Sequence, residues 1–297
     1  METLEKAPAK LNLSLDTLFR HLDGDPEWRM VMTAIDLADY VHLQTGPVSE
    51  IQVRTNTGFL PHDQRNLAYQ AAKSLQKRFH ITEGVAITIE KRIPVSAGMG
   101  GGSADAAAVL RGLNRLWNLD LSLSQLAQIG LTIDSDVPFC VYSCPALVEG
   151  KGEKITPLND IDSLWFIIVK PKASVSTPTI LKKIDFSQIH HQHVDKVVMA
   201  IQNADWKQLT TSMGNCLEPI TVAKCPQITR IKEKLLKFGA QSAQMSGTGP
   251  TVFGVSLQKS RAQHIYNSLR GFCDEVYLAR PFDLIKNEKK YKKDPKS

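Results

Sequence analysis

Apolar and polar residues alternate most cleanly near the start of the chain, where Leu11, Leu13 and Leu15 fall on one side and Lys10, Asn12 and Ser14 on the other. Side chains two apart share a face of a strand, so residues 7–15 are predicted as a strand with one buried and one polar face. Met30–Asp39 reads as a second strand leading into a turn, and Val85–Glu90, with β-branched residues in period two, as a third. Helical spacing takes over from Pro61, with Leu67, Ala71, Leu75 and Phe79 on one side, and returns at Ala107, Leu110, Leu113 and Leu116. Ser122–Gly130 is predicted as a short helix closed by its glycine. The run Leu164–Val169 reads as a strand opening a second domain, and a helix from about Ser260 with a strand over Glu275–Leu278 completes the pattern. Strands with flanking helices before residue 160 indicate an α+β or α/β nucleotide-binding domain. The expected division is 1–160, 161–284 and a basic tail over 285–297, without internal repeats.

Between the third strand and the helix after it lies Pro94-Val95-Ser96-Ala97-Gly98-Met99-Gly100-Gly101-Gly102-Ser103-Ala104-Asp105. Glycines let successive N–H groups turn towards one point, and a helix start adds unsatisfied donors and the positive end of its dipole. With Ser103 expected as the helix cap, the stretch is predicted to hold phosphate. It is not a P-loop, because Ser103-Ala104 stands where Lys-Ser or Lys-Thr belongs, and the dinucleotide fingerprint fails where it needs a glycine at Ser103. Gly150-Lys151-Gly152 likewise lacks the P-loop hydroxyl and reads as a turn between strands.

Composition narrows the classes of function. The 297 residues suffice for two domains, and 42% hydrophobic with 22% charged residues is ordinary for a globular chain. No run approaches the ~18 apolar residues of a membrane span. Glu2, Glu5 and Lys6 break any secretory signal, so the cytoplasm is expected. Five scattered cysteines are expected as reduced, structural thiols, and the cluster His190-His191-Gln192-His193 as a surface loop without metal. Of the net charge of +6, the segment 286–297 supplies +4 from six lysines and two acids, leaving a nearly neutral body. Neither nucleic acid nor a membrane is therefore expected as a partner.

The glycine stretch resembles the second motif of the GHMP small-molecule kinases, P-x-x-x-G-[LM]-G-[GS]-[GS]-S-[AS], and its Gly-Gly-Gly-Ser-Ala-Asp-Ala-Ala form is most similar to the branch acting on a cytidyl-diphosphate methylerythritol in non-mevalonate isoprenoid synthesis. Ala7-Pro8-Ala9-Lys10-Leu11-Asn12-Leu13 is similar to that family's opening motif, Asp136-Val137-Pro138-Phe139 to its D-V-P-F turn, and Met245-Ser246-Gly247-Thr248-Gly249 to its third motif, a glycine loop expected between a helix and a strand. The resemblance, from residue 7 to about 280, implies a two-domain α+β fold with the nucleotide site between the domains. It implies ATP and Mg²⁺ as cofactors, with Pro94 to Ala104 and Asn66 on the nucleotide. Lys10 and Asp136 become the catalytic residues, and Asn12, Thr177 and Gly247 the acceptor-side contacts. Ser103 is left open between phosphate and metal, and no other metal ligand is assigned. A small alcohol is the implied partner, and the protein is expected as a monomer or homodimer.

Two departures stand out. Asp134 replaces the family's glycine and sets a second negative charge beside Asp136. Asp25-Pro26 replaces the Tyr-His pair that embraces cytosine, and Trp28 is expected in core packing. Three readings stay open on the residues: the cytidyl-methylerythritol kinase, a GHMP-type kinase for another alcohol, and a nucleotide-binding protein without kinase activity. Intact Lys10, Asp136 and both glycine loops weigh against the last.

Overall fold

A computed structural model describes residues 1–287. The chain forms two compact units, the first from Met1–Ala9, Leu37–Ile93 and Gly100–Ser143, the second from Lys10–Asp36, Pro94–Met99 and the chain from Cys144 on. Strands β1 (Glu2–Arg20) and β2 (Pro26–Gly46) each run from one unit into the other, and both are longer than their alternating cores foretold.

In the first unit the second half of β2 pairs antiparallel with β4 (Gly84–Glu90), and β3 (Ile51–Thr55) lies parallel to β4. Helix α1 (Leu67–Phe79) packs on α2 (Gly101–Leu116). Both helices bury small residues, Ala68, Ala71 and Ala72 on α1 and Ala104, Ala106, Ala107 and Ala108 on α2. Gly112 sits where a Cβ would strike Leu43 of β2, which seats α2 on the sheet. Helices α3 (Leu123–Leu131) and α4 (Val137–Tyr142) close the unit, with Val137 filling the space a side chain on Gly130 would need.

Three expected helix ends move. Helix α1 begins at Leu67, not Pro61: the Asn66 side chain accepts from Ala68 N at 2.9 Å and so fixes the first turn. Helix α2 is capped by Gly100 in the left-handed region (φ 66°), so Ser103 is the third helical residue and not the cap. Helix α3 starts where expected, on a Ser122–Gln125 capping box, but Gly130 lies inside its last turn.

In the second unit the first half of β2 pairs with β5 (Ala146–Gly150), which turns back through Lys151 into β6 (Lys154–Pro157), the hairpin expected there. An antiparallel sheet follows. Its strands β7 (Trp165–Lys170), β9 (Ser242–Met245), β10 (Val252–Ser256) and β11 (Glu275–Ala279) lie in the order β11-β7-β10-β9. One face carries α9 (Gln227–Lys237) and α10 (Lys259–Arg270), whose Ile228, Ile231, Leu235, Ile265 and Leu269 pack with Ile167, Val169 and Val252. Between β7 and α9 come α5 (Thr177–Leu181), α6 (Val194–Gln202), α7 (Trp206–Ser212), β8 (Gly214–Asn215) and α8 (Glu218–Val222). Strand β8 runs parallel to β1, with Ser14 opposite Gly214. β12 (Pro281–Phe282) pairs with β2. The third glycine loop joins two strands, β9 and β10, and not a helix and a strand, because Ser242–Met245 forms the edge of the sheet.

The cysteines are free thiols, all but Cys273 buried, and burial pushes the Cys144 and Cys216 thiols up to about 12. His190, His191 and His193 are exposed in a loop where His191 Nδ1 lies 3.1 Å from Asp16. Trp28 is half-buried, opposite Gly150. Apart from Ile285, Lys286 and Asn287, the basic tail lies outside the described residues. Among the described residues no helix is long and apolar enough to cross a membrane.

Candidate functional site

Period two on β1 sends Lys10 and Asn12 to the same face, and both are buried. Lys10 Nζ donates to Asn12 Oδ1 at 2.9 Å, and Lys10 N donates to Met99 O at 3.0 Å, so the strand is tied directly to the glycine stretch. Asn12 N donates to Ser246 Oγ (3.4 Å), whose own proton goes to Gly98 O (3.0 Å). One hydroxyl thereby links β1, the 94–99 segment and the loop after β9.

These loops meet so closely that both need glycine. Gly98 adopts φ +76°, and a Cβ there would lie 2.5 Å from Ser246 O and 2.9 Å from Gly249 O. Gly247 adopts φ +57°, and its Cβ would lie 3.1 Å from Gly98 O and 3.2 Å from Lys10 Nζ. From beneath, the buried Asn215 of β8 donates to Met245 O (2.9 Å) and Gly247 O (2.8 Å) and accepts from Leu217 N (2.9 Å). Thr177, the first residue of α5, meets Thr248 through their hydroxyls at 2.8 Å.

The glycine stretch continues into the first unit. Ala104 N bonds Gly100 O at 2.8 Å to begin α2, leaving the earlier amides of the helix without intrahelical acceptors. Ser103 Oγ donates to Asp134 Oδ1 (2.8 Å), and the same oxygen accepts from Asp136 N (3.0 Å). Asp134 therefore organises the turn, with Asp136 at the residue before α4 and its own side chain not spent on capping that helix. Asn66 is differently placed: its side chain caps α1 and donates to Pro61 O (2.8 Å).

Seven of the expected residues gather in two clusters. Lys10, Asn12, Gly98, Gly247 and Thr177 join through hydrogen bonds and close glycine contacts in the second unit, and Ser103 with Asp136 through Asp134 in the first. Ser246 and Asn215 were not singled out by the sequence. Ser246 lies inside the third motif, whereas Asn215, on a two-residue strand, carries no pattern that marks it. Asp39 and Lys91 were also missed: Asp39 Oδ1 accepts from Arg92 N (2.5 Å) and Ile93 N (2.8 Å) as the chain enters the glycine stretch, and Lys91 Nζ contacts the same carboxylate.

A strand face bearing Lys10 seated on a glycine turn in the second unit, and a helix start bonded to a carboxylate turn in the first, are parts that a small-molecule phosphotransferase uses. The family descriptions agree: residues 66–144 match the GHMP kinases N terminal domain and residues 198–275 the GHMP kinases C terminal domain. The chain is 68% identical over 286 residues to 4-diphosphocytidyl-2-C-methyl-D-erythritol kinase of Ligilactobacillus salivarius, covering 96% of this chain and 99% of that one. It is 57% identical to the enzyme of the same name from Lactiplantibacillus plantarum, covering 96% and 99%. A crystal structure of 4-(cytidine 5'-diphospho)-2C-methyl-D-erythritol kinase superimposes with a TM-score of 0.77 at 29% identity, covering 95% of this chain and 99% of that one. Homoserine kinase from Cytophaga hutchinsonii, at 22% identity and TM-score 0.78 over 94% and 95% of the two chains, shares the fold. The chain belongs to the 4-diphosphocytidyl-2-C-methyl-D-erythritol kinase family of GHMP kinases.

Proposed function

We propose that this kinase transfers the γ-phosphoryl group of ATP to a hydroxyl of 4-diphosphocytidyl-2-C-methyl-D-erythritol, a step of non-mevalonate isoprenoid synthesis, in the cytoplasm. The observation that carries the reading is the seating of Lys10. Its backbone is bonded to Met99 of the glycine stretch, its ammonium to Asn12, and Gly247 is held against it.

Phosphoryl transfer asks for positioning and charge neutralisation more than for covalent help. In this reading the backbone donors of 98–103 hold the phosphates, and Lys10 stabilises charge on the transferring group. Asp136 accepts the acceptor's proton and orients its oxygen in line. Asn12 and the Thr177–Thr248 pair line the acceptor side. With the Asn66 side chain spent on α1, its part at the nucleotide falls to adjoining backbone.

Mg²⁺ suits the oxygens present. Ser103 gives its proton to Asp134, so its oxygen offers lone pairs, which fit a cation better than another acceptor such as phosphate. Among the described residues no group of three or more His, Cys, Asp or Glu is placed to hold a metal. When bound, the ion supplies charge neutralisation across the phosphate oxygens.

The departure at Asp25-Pro26 is milder than its residue types imply. Asp25 lies 3.3 Å from Lys151, which also pairs with Asp23, so the lysine offsets part of the negative charge that the two carboxylates place there. A coupled phosphoryl-transfer assay over a panel of alcohols tests the assignment. Preference for the cytidyl compound is expected. Preference for another alcohol overturns the acceptor, and no ATP-dependent transfer to any overturns the function.

A further inference from the structure

The first unit buries one lysine between two carboxylates. Lys91 Nζ contacts Asp39 Oδ2 and lies 2.6 Å from Asp105 Oδ2, and the three side chains are 5%, 0% and 6% exposed. Asp39 does double service, because its other oxygen takes the Arg92 and Ile93 amides. The ammonium also packs beneath the first turn of α2, 3.4 Å from where a Cβ on Gly101 would be.

Charge counting shows what form the cluster takes. Three ionised groups would leave one uncompensated negative charge in a dry site beside a helix start. Burial, with the negative charge of Asp39, raises the Asp105 pKa well above the usual carboxylate range, against the pull of Lys91. Asp105 Oδ1 is buried without a hydrogen-bond partner, a condition far costlier for a charged carboxylate than for a neutral carboxyl. A proton kept on Asp105 would make the cluster neutral, a Lys91–Asp39 ion pair beside an uncharged carboxyl, and the positive end of α2 would keep its field.

Buried ion pairs add little stability over apolar side chains of the same shape, and their best-attested use is to fix one geometry among several. The geometry here is specific. Lys91 precedes the glycine stretch, Asp105 follows it, and they are 14 residues apart in sequence. We propose that Lys91, gripped by Asp39 and Asp105, is a positioning residue that holds the two ends of the glycine loop at fixed separation, so that its amides converge on the nucleotide phosphates. The proposal rests on the kinase reading for its ligand, but not for its mechanics.

Asp105→Ala is the sharpest test, since it opens the clasp yet leaves the Lys91–Asp39 pair intact and adds a strong helix former. Calorimetric titration with ATP and Mg²⁺ is expected to show affinity reduced about tenfold to hundredfold, the scale of a ~1 Å misplacement. KM for ATP should rise in step while KM for the acceptor stays. Asp105→Asn, which keeps an oxygen for Lys91, should restore most of the affinity. Amide hydrogen exchange without nucleotide should quicken at Arg92, Ile93 and Gly101–Ala104 and nowhere else. Wild-type ATP affinity in Asp105→Ala, or unchanged exchange at those amides, overturns the proposal. If Asp105→Ala fails to fold, Asp105→Ser takes its place under the same criteria. A wild-type protein that binds no ATP would overturn the functional reading instead, and the exchange measurement would still decide the clasp.

Discussion

Replacing Gly98 by alanine adds one methyl group, and the structure gives two reasons why that is too much. At φ +76° the backbone is in the left-handed region, which costs a residue with a Cβ roughly 1–2 kcal/mol. The new carbon would also lie 2.5 Å from Ser246 O and 2.9 Å from Gly249 O, backbone atoms that move only with their loop. Overpacking of this kind costs about 1–3 kcal/mol. The total, ~2–5 kcal/mol, corresponds to a fall in melting temperature of roughly 3–8 °C for a chain of this size. Gly102→Ala is the internal control. Gly102 lies in the first turn of α2, where a Cβ would meet only Leu67 Cδ1 at 3.4 Å, an ordinary contact. There alanine should be neutral or stabilise by about 0.4–1 kcal/mol through the unfolded chain. Calorimetric melting of both variants without ligand separates fold from function. The reasoning fails if Gly98→Ala melts within about 2 °C of the wild type, or if Gly102→Ala is the less stable of the two.

On the role proposed for its carboxylate at the acceptor, Asp136→Asn should lower kcat by about 10²–10⁴-fold with ATP affinity unchanged; near wild-type kcat in steady-state assays would make it structural. On the role proposed for it at the transferring group, Lys10→Ala should cut kcat strongly, and single-turnover kinetics would reveal it. Asn215→Ala leaves Met245 O, Gly247 O and Leu217 N without that partner, for an expected loss of ~2–5 kcal/mol in denaturant unfolding. Folded Asp105 holds its proton more tightly than the unfolded chain does, so the stability it contributes is present at low pH and falls as pH climbs past the ordinary value of 3.8. The melting temperature of the wild type relative to Asp105→Asn should therefore decline from about pH 4 towards neutrality, and a flat difference would contradict the neutral cluster.

The motifs were legible because their chemistry constrains residue type over a short span. Glycine density marked the close-packed turn that Gly98 and Gly247 form, strand alternation put Lys10 and Asn12 on one face, and resemblance supplied Asp136. What the sequence concealed is tertiary. Ser103 was read as a cap because a hydroxyl at a helix start favours that role, yet left-handed Gly100 takes the position and frees Ser103 for Asp134, 31 residues away. Pro61 resembled a helix start, but the Asn66 side chain offers a better acceptor to the first turn. Asp39 and Lys91 lie 52 residues apart with no local pattern to join them. Lys151, the cation beside Asp25, lies on a hairpin turn far along the chain, and no local pattern joins the two.

The hydroxyl of Ser246 on Gly98 O spans 148 residues of sequence. During synthesis, at about 5–20 residues per second, the chain must wait roughly 7–30 s after Gly98 is made before the residue that props it exists. Until then Gly98 has neither the hydrogen bond nor the facing backbone that excludes its alternatives, and Lys10 lacks Gly247 beside it. A nascent chain cut short anywhere in that interval can carry every residue of the second motif and still lack the support that shapes it. The site matures last at a place whose signature is written in about the first third of the chain.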